Sequence, residues 1–97
     1  MDLNSYPIPH PQVAARVVDG SAVVVLADSG EVNVLNAVGT RIWELADGSR
    51  SVREIADAIH AEFDVSAQDA LRDAETFLEV LLEAKALELQ AQPATTE

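Results

Sequence analysis

The chain predicts an α+β domain, a three-stranded antiparallel sheet followed by three helices. Three observations carry that prediction. Asp19-Gly20 and Asp28-Ser29-Gly30 are tight-turn signals, and they separate three short runs rich in valine. Asn36, Ser51 and Ser66 each stand where a helix N-cap belongs, ahead of apolar residues at helical spacing. The strands come first and the helices after them, so the helices pack on one face of a small antiparallel sheet.

Met1 to Gln12 carries Pro7, Pro9 and Pro11 at every second position. Each proline fixes φ and removes a backbone donor, which excludes a helix or a central strand. Residues 1–11 read as an extended terminal tail, either loose or packed across the domain, with Tyr6 and Ile8 the side chains able to anchor it. The domain proper is expected from residue 12 to residue 89. Val13 to Val18 is the first predicted strand and Ser21 to Ala27 the second. The unbroken run Val23-Val24-Val25-Leu26 predicts at least partial cover on both faces of that second strand. Glu31 to Leu35 is the third, and two consecutive tight turns place it at a sheet edge, with half its backbone groups unpaired.

Asn36 to Ala46 is the first helix, with Val38, Ile42 and Leu45 on its apolar face and Asp47-Gly48 as its stop. Trp43 lies at the margin of that face, where it either completes the core or closes one end of a groove. Gly39 costs about 1 kcal/mol relative to alanine inside a helix, so it marks a close approach or an irregular first turn. Ser51-Val52-Arg53-Glu54 is a capping box, and Val52, Ile55, Ala56, Ile59 and Phe63 follow on one face. The third helix opens at Ser66 and carries the stripe Ala67, Ala70, Leu71, Ala74, Phe77, Leu78, Leu81 and Leu82, with Lys85 expected in its last turn. Leu87 and Leu89 suit a short final strand, and residues 90–97 read as a disordered tail.

Composition narrows the function. With 97 residues, 48% of them hydrophobic, the chain builds one modest core. It has no cysteine, which removes disulfides, thiolate metal sites and cysteine nucleophiles. Six basic residues against 17 acidic ones give a formal charge of −11. Such a surface repels phosphate, so nucleic acid and anionic membranes are poor partners, and a basic or apolar peptide is favoured. No apolar run approaches the roughly 20 residues of a membrane span. The N-terminus lacks a basic start and an apolar stretch, so the expected location is the cytoplasm.

Nothing in the pattern assembles a catalytic centre. His10 and His60 have no partners at metal-ligand spacing, and Ser51 and Ser66 are caps without a histidine base. Asp69, Asp73, Glu75, Glu79 and Glu83 mostly fall off the apolar stripe, as a solvated helix surface requires. No enzyme activity, metal or cofactor is expected.

The stretch Gly30, Val32-Asn33, Leu35-Asn36, Gly39, Ile42-Trp43-Glu44-Leu45, Asp47-Gly48 resembles the PqqD family and the wider group of RiPP recognition elements. Val52-Arg53-Glu54-Ile55-Ala56 and the leucine-rich third helix continue the likeness, which spans about Gln12 to Leu89. Where many members carry aromatic residues after the glycine turn, this chain has Val32 and Asn33. The resemblance is to the general branch of the family rather than to quinone cofactor synthesis itself.

That resemblance implies a winged helix-turn-helix-like fold and a peptide chaperone. The expected partner is the leader of a ribosomally made precursor, presented to a modifying enzyme such as a radical maturase, cyclase or peptidase. The peptide would lie between the third strand and the third helix, which suits β-augmentation of an unpaired edge. Val32, Asn33, Val34 and Leu35 are the expected contacts on the strand. Ala67, Leu71, Ala74, Glu75 and Leu78 are those on the helix, where ordinary core packing is the competing role. Two other readings stand beside this one. A generic interaction domain would pair its free edge with a second copy as a homodimer. A DNA-binding winged helix would need a basic third helix, and five acids there oppose it.

Overall fold

A computed structural model describes residues 1–26 and 29–93. Its elements are β1 (Tyr6–Pro9), β2 (Ala14–Val18), β3 (Ser21–Val25), β4 (Val32–Val34), α1 (Ala37–Leu45), α2 (Val52–Glu62), α3 (Ala67–Glu83) and β5 (Leu87–Gln90). The predicted three-stranded antiparallel sheet is present in the order β2-β3-β4, which puts β4 at an edge. All three helices follow it.

The β2–β3 hairpin turns through Asp19 at φ 52° and Gly20 at φ 82°, the doubly positive geometry that two-residue hairpin loops favour. In β3, Ala22 and Val24 are fully buried, while Val23 and Val25 on the opposite face are half-buried. The apolar run therefore has one face fully buried and the other partly covered, as its composition predicts. The remainder of the predicted second strand, Ala27, and the Asp28 turn position lie outside the described residues.

Each helix opens as its cap predicts. Asn36 accepts from the Gly39 N–H, Ser51 and Glu54 form both halves of a capping box, and Ser66 accepts from the Asp69 N–H. Their apolar faces meet in one core with Val24, Ile42, Ile55, Ile59 and Leu78 at its centre. Trp43 packs half-buried against that core. Around it, Arg41 bonds Glu62 at 2.8 and 3.1 Å and ties α1 to α2, which raises its pKa. Asp47 is held below the usual carboxylate value, first by its Ser49 hydrogen bond. Lys85 is not in the last helical turn. It follows the helix at φ 61°, and the bonds Lys85 N–H to Leu82 and Ala86 N–H to Leu81 close a Schellman motif around it.

The N-terminal segment is extended, as its prolines require, but it is not loose. β1 pairs antiparallel with β5, Tyr6 opposite Gln90 and Pro9 opposite Leu87. The His10 N–H donates to the Ala86 carbonyl, so Ile8 and Tyr6, two and four residues earlier, also point their donors at β5. Pro7 and Pro9 fall on the alternate positions, whose nitrogens face away from the pairing, so the missing donors cost the ladder nothing. Other carbonyls of the segment serve α2 and the turn before it. Leu3 and Ser5 accept from the Arg53 and Val52 N–H groups, and Pro7 accepts from Gly48. Gln90, expected in a disordered tail, is the last residue of β5, and residues 94–97 lie outside the described residues.

One side chain fastens α1 to the sheet. The buried Thr40 hydroxyl accepts from the Ala22 N–H at 3.0 Å and donates to the Leu35 carbonyl at 3.3 Å. Thr40→Val keeps the shape and strands the Ala22 donor. The expected loss is about 1–3 kcal/mol, read as a fall in Tm of roughly 5–15 °C. Thr40→Ser, which keeps the hydroxyl, is expected to lose less than half of that.

Candidate functional site

The outer edge of β4 follows from hydrogen-bond parity. Glu31 accepts from the Leu26 N–H, and the Leu35 N–H donates to Ala22, so both residues turn their backbone groups toward β3. Asn33, opposite Val24, shares their parity. The N–H and C=O groups of Val32 and Val34 therefore point away from the sheet. Among the described residues no strand covers them, because β1 pairs with β5 instead.

Side chains alternate in the other sense. Asn33 lies on the inner face with buried Val24, whereas Val32 and Val34 stand on the outer face, 62% and 69% exposed. Beside the inner face runs a groove of about 520 Å³. Leu26, Asn33 and Leu35 form its sheet side, and Phe77, Val80, Leu81 and Ala84 its α3 side. Ser29, Glu31, Glu83 and Lys85 gather at the end near the α3 C-terminus. A smaller hollow of about 230 Å³ continues past Phe77 toward Asn36, Val38 and Asp73.

The four expected strand residues all belong to this edge, Asn33 and Leu35 by side chain and Val32 and Val34 by backbone. The five helix residues do not join them. Ala74 and Leu78 are fully buried core, Ala67 and Leu71 line a shallow hollow shared with α2, and Glu75 lies in a hollow formed by α3 residues alone. The residues on the groove side are Phe77, Val80 and Ala84, spaced i, i+3 and i+7, with Asp73 one turn earlier beside Asn36 and Val38; this face is rotated about a third of a turn from the one expected. Val80, an apolar residue outside the predicted stripe, is the signal the sequence offers for that margin, and it is 60% exposed. Trp43 is not among the groove-lining residues. No group of three or more His, Asp or Glu among the described residues can hold a metal, and no helix is long and apolar enough to cross a membrane.

The site is thus an open sheet edge beside an apolar cleft, carried on a small α+β body of three strands and three helices. The chain belongs to the PqqD family, whose model, described as coenzyme PQQ synthesis protein D, matches residues 21–87. Two solved structures share its fold. A TbiB1 chain, in complex with the TbiA(beta) leader peptide, is 33% identical with a TM-score of 0.76, covering 84% of this chain and 94% of that one. A lasso peptide synthetase B1 chain, complexed with the leader peptide, is 26% identical with a TM-score of 0.73, covering 84% and 96%. A search of curated protein sequences finds no match.

Gly39 explains how α1 and α3 come together along this cleft. A Cβ there would lie 3.0 Å from Phe77 Cε1 and 3.2 Å from Asn36 Oδ1. The close approach is to an aromatic ring, within a regular capped helix. In Gly39→Ala the methyl group pushes the Phe77 ring toward the groove, while helix propensity returns about 1 kcal/mol. Stability is expected to stay within about 1 kcal/mol of the parent in thermal melts. The Phe77 ring signals in aromatic NMR spectra should move, and unmoved signals would contradict this packing.

Proposed function

We propose that this protein is a non-catalytic recognition element. It captures the leader of a ribosomally made precursor peptide by adding it as a strand to β4, and it presents that peptide to a modifying enzyme in the cytoplasm, where such precursors are made. The observation that carries the reading is the open β4 edge lying directly beside an apolar groove. Main-chain bonds to Val32 and Val34 would supply affinity for any extended segment, and the groove would sort its side chains. Family membership and the leader peptides bound by both structural relatives support the same reading. The strand contacts are Val32, Asn33, Val34 and Leu35. On α3 the contacts are Phe77, Val80 and Ala84, in place of the Ala67, Leu71, Ala74, Glu75 and Leu78 face.

Electrostatics weighs against the winged-helix alternative. Arg72 is the one basic residue within α3, and it is spent on Asp69 at 2.6 Å. Phosphate contacts need a basic surface, which a chain of charge −11 does not offer through this helix.

Titration with the leader of a precursor gene adjacent to this one, followed by amide NMR, tests the reading. Shifts are expected in Glu31 to Leu35 and along Asp73 to Ala84, and silence there would refute it. Val34→Pro sharpens the test, because the Val34 N–H takes no part in the β3–β4 ladder and an edge strand accepts proline at such a position. The variant should fold normally and bind the leader about tenfold more weakly or worse.

A further inference from the structure

Asn33 is the polar side chain at the middle of an otherwise apolar groove wall. It stands on the inner face of β4, half-buried among Leu26, Leu35, Phe77 and Val80, and its carboxamide makes no hydrogen bond to any described residue. The charged groups of the groove gather at its far end, at Glu31, Glu83 and Lys85. The carboxamide is therefore served by water as long as the edge is open. A strand laid on β4 removes that water.

Parity decides which peptide residue meets it. Because Asn33 bonds toward β3, an antiparallel visitor faces Asn33 across a non-hydrogen-bonded pair, the closer of the two pair types, with Cα atoms about 4.5 Å apart. The visitor's side chain at that position points inward, into the groove. Its own N–H points away from β4. The residue opposite Asn33 is thus read by its side chain alone, and the side chain nearest to it is an amide with two donors and one acceptor group.

We infer that Asn33 is a specificity-determining residue: it selects peptides whose central inward side chain can exchange a hydrogen bond, such as threonine, serine, asparagine or glutamine. A peptide with an aliphatic residue there covers the carboxamide without pairing it. This rests on the peptide-capture reading and adds to it a rule for one position of the ligand. Of the flanking inward positions, the one against Phe77 and Leu35 remains apolar, and the one toward Glu31, Val80 and Ala84 meets the charged end of the groove.

The test uses a random twelve-residue peptide library displayed on phage, selected in parallel on the parent protein, on Asn33→Val and on Val34→Pro. Enrichment on the parent over Val34→Pro is expected. The position whose side chain shows NOEs to Asn33 should be polar on the parent and valine, isoleucine or leucine on Asn33→Val. Synthetic peptides differing only as threonine or valine at that position should differ about tenfold to a hundredfold in affinity for the parent, with the order reversed on Asn33→Val. Asn33→Ser, which keeps a hydrogen-bonding group, should restore the preference for threonine. Peptides that enrich equally and carry the same residue on the parent and on Asn33→Val would overturn the inference and leave peptide capture standing. No enrichment on the parent over Val34→Pro would instead bring down the capture reading itself. Asn33→Val places a strongly strand-forming residue in a strand, and an unchanged circular dichroism melt is expected.

Discussion

The structure depends on how the Thr40 hydroxyl interrupts the sheet. At the last register of the β3–β4 ladder, Leu35 donates to Ala22, and the reciprocal bond from Ala22 is diverted to Thr40. The same hydroxyl returns a hydrogen bond to the Leu35 carbonyl. A side chain from the first turn of α1 thus stands where a backbone bond would otherwise hold the strands together. It lets the chain leave the sheet at Leu35, turn at the Asn36 cap and begin a helix, with no buried side-chain polar atom left unsatisfied among the described residues. The strand that results is short, and its far edge stays open because the chain after it has moved into the core layer.

In the peptide capture proposed above, two faces of one strand divide the work. The outward backbone of Val32 and Val34 would serve any extended chain, whatever its sequence. The inner face, through Asn33 and Leu35, shares a groove with Phe77, Val80 and Ala84, and under that proposal selectivity arises there. Gly39 joins the two layers: without a Cβ it admits the Phe77 ring against the first turn of α1, so the groove wall and the Asn36 cap rest on the same contact. A change in any of these small residues reaches the cleft without touching a ligand.

Much of this was legible in the residues, and the exceptions have physical causes. Local rules fixed the hairpin at Asp19-Gly20, the three caps and the edge position of β4, since each depends on neighbours within a few residues. The β1–β5 pairing joins segments about eighty residues apart, and nothing local announces it. Alternate prolines excluded a central strand, yet the same spacing is what an edge strand needs when every second nitrogen faces away. On α3 the period was clear and the phase of the site was not. An apolar stripe wider than about 100° has one flank toward α2 and another toward the sheet, and the pattern alone does not say which is which. Leu71 and Phe77 look equivalent along the chain, and only the packing of α2 separates them.

The terminal clasp bears on the groove although it lies outside it. β5 begins two residues after Lys85, and the Schellman motif that aims it is built from Leu81 and Leu82 carbonyls. Leu81, Ala84 and Lys85 also line the groove. A lysine at φ 61° pays a conformational cost that glycine would avoid, so this turn holds only if both sides of it are anchored. The α3 side is anchored by the core. The other side is anchored by β1, whose bond from His10 to the Ala86 carbonyl fixes the residue that follows the strained one. The proline-rich segment thus anchors the turn at the α3 end of the groove while leaving the β4 edge uncovered, because it pairs with β5 instead.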